Sequence, residues 1–177
     1  MLSKKMMRLF IALPFVIIIG FISCSKDEDQ ESEVSIYLHD APAPDLEKMK
    51  IHLKGVSVYS QSSGTWQTLT VSNGIFDLLT LDSAHPAFIG KLKVKGADIS
   101  QVQLILDSAN NVTVNGVTHP LVLDESDLDK LKIKIDQNLN SGSNYKLTID
   151  FKANESVDSS GGIYKLKASL KITVKAI

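Results

Sequence analysis

Apolar and polar residues alternate with a period of two along most of this 177-residue chain, from Val34 onward. In the first segment Val34, Ile36 and Leu38 fall on one face of an extended chain. This period is typical of a half-buried β-strand, since successive side chains of a strand point to opposite faces of the sheet. The same kind of alternation predicts further strands at residues 50–59, 65–71, 75–79, 92–94, 101–106, 112–114, 131–135 and 145–151, and one or two more between 163 and 177.

Turn-forming residues separate these segments. Pro42 and Pro44 end the first one, because proline cannot donate a hydrogen bond to a β-ladder. Asn115-Gly116 lies between two short segments and is the strongest hairpin signal in the chain, since both residue types tolerate positive φ. Helical turns are predicted only at residues 78–89 and 124–128. Short strands with regular turns predict an all-β fold, an antiparallel β-sandwich of about eight strands.

The apolar positions of residues 50–59 change phase at Gly55. Ile51 and Leu53 occupy odd positions, whereas Val56 and Val58 occupy even ones. A β-bulge at Gly55 would return all four side chains to one face of the sheet. The sequence therefore predicts one continuous strand that contains a bulge.

Residues 1–23 have the three parts of a bacterial lipoprotein signal peptide, namely a basic start, a mostly apolar run and a cleavage motif. Phe21-Ile22-Ser23-Cys24 resembles a lipobox, so cleavage is predicted between Ser23 and Cys24. Cys24, the single cysteine, would then carry two or three acyl chains, which suffice for stable anchoring. The alternative is an N-terminal membrane helix. That alternative is disfavoured because a span takes about 20 apolar residues and Pro14 would interrupt a helix.

The predicted mature chain has two parts. Residues 24–33 offer almost no apolar surface to bury and are predicted to be an acidic tether. Residues 34–177 are predicted to be a single β-sandwich domain. Lys26-Asp27-Glu28 resembles the lysine-plus-acids signal that sends lipoproteins of Bacteroidota to the outer face of the outer membrane. The alternative interpretation of this stretch is a solvated spacer.

The charge of the chain argues against a nucleic-acid partner. It has 19 basic and 20 acidic residues, a net charge of −1. Loss of residues 1–23 removes three basic residues and no acidic one, which leaves a net charge of −4. Nucleic acids and anionic lipid headgroups select basic faces. Attachment to a membrane is therefore predicted to use the N-terminal lipid.

Five segments carry a resemblance to a known family: residues 34–44 with their Asp-Ala-Pro-Ala-Pro ending, residues 51–59, Phe76-Asp-Leu-Leu79, residues 99–106, and residues 145–151 followed by Ser156-Val157. In this order and spacing they resemble domain-of-unknown-function family 4382, found in secreted proteins and lipoproteins of Bacteroidota and other bacteria. The resemblance implies a β-sandwich of the transthyretin- or immunoglobulin-like kind over nearly all of residues 34–177. It implies no activity, cofactor or site residue.

Candidate metal ligands do not form a complete set. The four histidines have no ligand spacing, although His39 and His52 could meet across paired strands, and zinc needs three or four converging ligands. Asp124, Asp127 and Asp129 belong to an acidic run that could give calcium three or four of the six to eight oxygens it takes. A capped polar turn is the preferred interpretation of this run. No metal or other cofactor is therefore predicted.

Catalytic motifs are also missing from the sequence. The chain contains no Gly-x-Ser-x-Gly elbow for a serine nucleophile. Hydrolysis by two carboxylates needs acids that face each other across a cleft, which sequence spacing alone does not reveal. The chain is therefore predicted not to be an enzyme, with a hydrolase as the alternative.

Three aromatic residues are candidates for stacking on a sugar ring: Trp66, Tyr59 and Tyr37. A single tryptophan on a sandwich strand lies more often in the core, because it brings the largest apolar area of any side chain. We therefore expect Trp66 to be buried, and an exposed stacking residue is the alternative.

Two serines lie in short motifs that resemble the O-glycosylation acceptor of Bacteroidota envelope proteins. They are Ser83 in Asp82-Ser83-Ala84 and Ser108 in Asp107-Ser108-Ala109. Both motifs are expected at the end of a strand, where the backbone is exposed.

The sequence as a whole predicts a lipid-anchored, non-catalytic binding or interaction module of the cell envelope. The protein is expected to be attached to the outer membrane. Which face of that membrane the domain occupies is left open, and exposure at the cell surface is one of the two alternatives. The partner is predicted to be a protein or a glycan. Carbohydrate binding through exposed aromatics, docking of a protein through strand edges, and a structural spacer remain as alternatives.

Overall fold

The computed structural model describes residues 31–40, 42–96, 98–123, 131–140 and 142–177. Strands dominate this part of the chain. They are β1 (Ser32–His39), β2 (Lys48–Ser60), β3 (Thr65–Thr70), β4 (Ile75–Asp77), β5 (Ala87–Val94), β6 (Asp98–Leu106), β7 (Asn111–Val114), β8 (Val117–Val122), β9 (Lys132–Asn138), β10 (Asn144–Asp150), β11 (Val157–Ser160), β12 (Ile163–Leu166) and β13 (Lys171–Ala176). A 3-10 turn covers Leu78–Thr80, and a one-turn helix α1 covers Ala153–Ser156.

The strands form two sheets that pack face to face. The first sheet has the order β13-β10-β1-β5. In the second sheet β3 and β4 pair with one edge of β2, and β6 and β7 pair with its other edge. Beyond these, β9 pairs with β6, and β8 connects β7 to β12 and β11. The predicted all-β sandwich is confirmed.

Both sheets are mixed rather than purely antiparallel. β1 pairs with β10 in parallel, and β12 pairs with β8 in parallel. Apolar and polar residues alternate in the same way in a parallel and in an antiparallel pair of strands. The alternation therefore does not reveal in which direction the neighbouring strand runs. A tight hairpin would impose antiparallel pairing, and neither of these pairs is joined by one.

The inner faces of the two sheets meet in one apolar core. Val34, Ile36 and Leu38 of β1 are fully buried, as the alternation predicts. They lie beside Leu147 and Ile149 of β10, which are also fully buried. The second sheet contributes the following buried residues: Met49, Ile51, Leu53, Val56, Val58, Ile99, Val102, Leu104, Val112 and Leu121. Each large apolar side chain in this core contributes about 1.5–3 kcal/mol to folding.

The predicted bulge at Gly55 is confirmed. The pairing of β2 with β6 shifts register between Leu53 and Gly55, so that the apolar residues on both sides of the shift face the core. Gly55 also allows β3 to approach closely, because a Cβ at this position would lie 2.8 Å from the backbone oxygen of Leu69. A residue with a side chain would push the two strands apart.

The predicted hairpin at Asn115-Gly116 is confirmed as well. It joins β7 to β8, and the two residues have φ values of 50° and 75°. Asn73 has a φ of 54° in the turn that leads into β4.

The structure departs from the predicted helical turns at residues 78–89. The 3-10 turn is confined to Leu78–Thr80, and β5 begins at Ala87. Ala87 and Phe88 pair with Leu38 and Tyr37 of β1, so the ladder determines their conformation. The other predicted helical turn, at residues 124–128, lies outside the described residues.

The first strand begins at Ser32, two residues before the alternation starts. The side chain of Ser32 is fully buried, and its Oγ donates a hydrogen bond to the backbone oxygen of Asn140 at 3.3 Å. Glu33 pairs with Asn144 and Lys93 in the two flanking strands. These neighbours extend the ladder into residues that offered no apolar pattern.

One carboxylate holds the turn between β2 and β3. Asp98, the first residue of β6, accepts four hydrogen bonds from this turn: from Ser60 Oγ at 2.8 Å, Gln61 N at 3.0 Å, Ser62 N at 2.9 Å and Ser62 Oγ at 2.7 Å. Burial raises the pKa of Asp98. The hydrogen bonds from Ser62, Ser60 and Gln61 together lower the pKa by more than burial raises it, so the pKa lies below the ordinary value of an aspartate. The ionised carboxylate therefore stabilises the folded chain.

We expect Asp98→Asn to lower the free energy of unfolding at neutral pH by about 1–2 kcal/mol, because hydrogen bonds to a charged group are stronger than those to a neutral one. The folded pKa of Asp98 is depressed, so its contribution is fully present above the unfolded pKa and is lost as the pH falls through the folded pKa. The difference between variant and wild type, measured by urea unfolding across pH, should therefore shrink below pH 3.8.

Asp136→Asn is the matched control. Asp136 is exposed on β9, and the described part of the chain holds no hydrogen-bond or ion-pair partner for its side chain. A loss of stability for Asp136→Asn equal to that for Asp98→Asn would show that net charge, and not the turn, causes the effect.

Candidate functional site

An aromatic pair lies on the outer face of the second sheet. Trp66 of β3 is directly opposite Tyr59 of β2, and their ring centroids are 5.2 Å apart with an angle of 46° between the ring planes. The side chain of Trp66 is 40% exposed. The expectation that Trp66 lies in the core is therefore wrong.

The exposure of Trp66 follows from the spacing of apolar residues in β3. Trp66 and Leu69 are three positions apart, so in a regular strand they point to opposite faces of the sheet. Leu69 takes the inner face, opposite the buried Val56. Trp66 must then point outward. This spacing is visible in the sequence, and it could have corrected the expectation.

Polar side chains surround the aromatic pair. Gln101 and Gln103 of β6 lie opposite Tyr59 and Ser57, on the same outer face. On the next strand Lys132 and Lys134 lie opposite Gln103 and Gln101. We call the set formed by Tyr59, Trp66, Gln101, Gln103, Lys132 and Lys134 the Trp66 face.

Lys132 reaches over the indole of Trp66. Its Nζ lies 5.7 Å from the ring centroid, a distance at which a cation is attracted to the π-system. The turn that leads into Trp66 is the one held by Asp98. Gly96 packs against this turn, where a Cβ would lie only 2.4 Å from the hydroxyl oxygens of Ser60 and Ser62. The aromatic pair therefore lies on a rigid support.

The chemistry of the Trp66 face is that of a stacking platform. A flat aromatic ring provides a rigid apolar contact. The amides of two glutamines and the ammonium groups of two lysines supply donors and acceptors at its margin. Such a surface can bind a flat ligand that has an apolar ring face and polar groups around the edge.

A second aromatic pair lies on the outer face of the first sheet. Tyr37 of β1 and Phe88 of β5 have ring centroids 5.3 Å apart, and Phe88 is 54% exposed. Nζ of Lys146, on β10, lies 4.5 Å from the Tyr37 centroid. The structure thus does not bring the three predicted aromatics together. Tyr59 and Trp66 lie on one side of the sandwich and Tyr37 on the other.

Three further residues of these two faces were not predicted from the sequence: Phe88, Lys132 and Lys146. Alternation could have placed each of them on an outward face. It could not have revealed which strands are neighbours, and that is what brings these side chains to the aromatic rings.

The predicted glycosylation serines are both exposed. Ser83 lies in the loop before β5, and Ser108 follows β6. Asp107 Oδ1 accepts a hydrogen bond from the backbone nitrogen of Ser108 at 2.6 Å, and Asp82 Oδ1 accepts one from that of Ala84 at 2.8 Å. Modification of either serine stays a prediction.

The histidines do not converge on a metal site. His39 belongs to the first sheet and His52 to the second, so the suggestion that they meet across paired strands is wrong. Among the described residues there is no group of three or more His, Cys, Asp or Glu side chains that could hold a metal ion. The acidic run with Asp124, Asp127 and Asp129 lies outside the described residues.

The predicted anchor also lies outside the described residues, since Ser23 and Cys24 precede residue 31. Within the part of the chain that the structure describes, no helix has the length and apolar character needed to cross a membrane.

Comparison with known proteins gives a structural likeness and a family. The chain is similar to a candidate cell adhesion protein from Bacteroides ovatus ATCC 8483, whose crystal structure is known, at 12% sequence identity and a TM-score of 0.21. The similarity covers 83% of this chain but 45% of the other, so the chain spans less than half the length of that protein. No curated protein matches the chain. The family model of a domain of unknown function, DUF4382, matches residues 31–168. This match spans most of the chain, which therefore belongs to the DUF4382 family.

Proposed function

We propose that this chain is a lipid-anchored, non-catalytic binding module of the bacterial cell envelope, and that it binds saccharide through the Trp66 face. The observation that carries the proposal is the exposure of Trp66 on a rigid sheet, packed on Tyr59 and flanked by amide and ammonium groups. A pyranose ring has an apolar C–H face and hydroxyl groups around its edge. It therefore complements a surface of this kind.

The energetics of Trp66 support a binding role. Burial of a large apolar side chain contributes about 1.5–3 kcal/mol to folding. A tryptophan left 40% exposed forgoes part of this contribution. A ligand that covers the indole would recover it on binding. Because the sheet beneath already holds the ring in place, little conformational entropy would be lost in that step.

The shape of the face also supports a saccharide over a protein strand. Trp66 lies on the broad surface of the second sheet, whereas docking of a strand needs an unpaired sheet edge with free backbone groups. The residues around Trp66 offer side-chain donors and acceptors, which suit hydroxyl groups. Protein docking and a structural role are the outcomes that would replace this proposal if saccharide binding fails.

The proposed location rests on the sequence that precedes β1, residues 1–31. The lipobox-like Phe21-Ile22-Ser23-Cys24 supports acylation of Cys24, and the acidic residues that follow support a solvated tether. We infer an outer-membrane lipoprotein whose domain faces the outside of the cell. Polysaccharides are accessible to a domain in this position.

We expect Trp66→Ala to lower saccharide binding at least tenfold on a glycan array, because the stacking surface is removed. Aromatic contacts are worth about 0.5–1.5 kcal/mol beyond the area they bury. The melting temperature should change little, since the ring is partly exposed. Phe88→Ala, which removes an aromatic ring from the other side of the sandwich, is the matched control and should leave the binding of uncharged saccharides intact. Equal binding by wild type and Trp66→Ala, with both folded, would rule out the stacking role.

We expect Cys24→Ala to release the protein from the membrane fraction, since the acyl chains are its proposed anchor. Protease treatment of intact cells that express the wild type should remove the domain while a periplasmic control protein survives. Retention of Cys24→Ala in membranes would show that the apolar N-terminal segment is itself the anchor. Protection of the wild type until the outer membrane is opened would instead place the domain in the periplasm.

A further inference from the structure

A shallow depression of about 240 Å³ lies on the outer face of the first sheet. It is lined by His39 of β1, Lys146 and Thr148 of β10, and Thr173 and Lys175 of β13. This is the side of the sandwich opposite to the Trp66 face. None of its lining residues belongs to that face, so the two surfaces are independent.

Two lysines lie side by side in this depression. Lys146 of β10 and Lys175 of β13 are directly opposite each other in the ladder. Like charges in directly opposite positions destabilise a sheet. Within the described residues neither ammonium group takes part in an ion pair. An anion between them would offset this repulsion.

Hydroxyl donors lie next to the lysines. Thr148 and Thr173 form the adjacent cross-strand pair, and both line the depression. The carboxylate of Asp150 is not part of the lining. It lies beside His39, with 3.9 Å between Asp150 Oδ1 and His39 Nδ1. The depression therefore presents two ammonium groups and two hydroxyl groups, a set that suits a tetrahedral oxyanion.

An aromatic surface adjoins the cationic one. The Nζ of Lys146 lies 4.5 Å from the ring of Tyr37, which in turn contacts the exposed Phe88. If Lys146 holds the anionic group of a ligand, the part of the molecule attached to that group would reach these rings. A volume of about 240 Å³ is enough for a phosphate or sulfate group and part of the ring attached to it.

We infer that this depression binds a phosphate or sulfate ester of a small saccharide. Lys146 and Lys175 neutralise the ester, Thr148 and Thr173 donate hydrogen bonds to its oxygens, and the sugar ring packs against Tyr37 and Phe88. The site does not depend on saccharide binding at the Trp66 face.

The test is isothermal titration calorimetry on the full-length chain in a neutral detergent, with glucose 6-phosphate, glucose 6-sulfate and glucose as probes. We expect at least one ester to bind at least tenfold more tightly than glucose, and the affinity for the ester should fall as salt is added. Lys146→Gln and Lys175→Gln should each weaken ester binding at least tenfold. Lys48→Gln, which removes an exposed lysine of β2 that belongs to neither binding face, is the matched control and should leave the affinity unchanged.

Thermal unfolding supplies a second measurement. The ester should raise the melting temperature of the wild type, since a ligand that binds the folded state stabilises it. Without ligand, Lys175→Gln should be at least as stable as the wild type, because the repulsion with Lys146 is gone. With ligand at the same concentration, its melting temperature should rise less than that of the wild type.

Several results would overturn the inference. They are the absence of binding by both esters, an affinity for glucose equal to that for the esters, or a loss of affinity in Lys48→Gln as large as that in Lys175→Gln. Binding to phosphatidylglycerol vesicles without binding to either ester would mean that the lysines contact a lipid surface instead. Trp66→Ala should bind the ester normally, so failure at one face is distinguishable from failure at the other.

Discussion

The parallel pairing of β1 with β10 is the interaction on which the rest of the structure depends. The register runs from Glu33 opposite Asn144 to His39 opposite Asp150, and most of the domain lies between these strands in the sequence. Closing so long a segment costs chain entropy, although that cost grows only slowly with length. The buried side chains of the two inner strands offset it. β5 then pairs with the free edge of β1, and β13 pairs with that of β10.

The same pairing brings together outward-facing groups that have no relation in the sequence. Tyr37 contacts Phe88 of β5 on one side and Lys146 of β10 on the other. Lys146 lies directly opposite Lys175 of β13. A net charge near zero for the whole chain therefore coexists with a local pair of lysines, because composition averages over both faces of both sheets. The low net charge disfavours extended polyanions as partners, because they need a broad basic face, but it does not disfavour a single ester group.

Local features of the chain proved sufficient for much of the fold. The phase change at Gly55 predicted the bulge, and Asn115-Gly116 predicted the hairpin, because each depends on the conformation of a few neighbouring residues. The five segments that resemble family 4382 lie within the residues matched by its model. The predicted helical turn over residues 78–89 was mostly wrong, since pairing with β1 determines the conformation from Ala87 onward.

The sequence by itself determined most of the strands and which of their faces point inward, since a period of two follows from the geometry of a single extended chain. Within β3 it even contained the reason for the exposure of Trp66, namely its odd spacing from Leu69. Only the tertiary structure decided which strands are neighbours, that two of the pairs are parallel, and which outward side chains meet. The physical reason is that ladder hydrogen bonds involve backbone groups common to every residue. Partner choice therefore depends on how the whole core packs, and the two candidate binding faces are products of that packing.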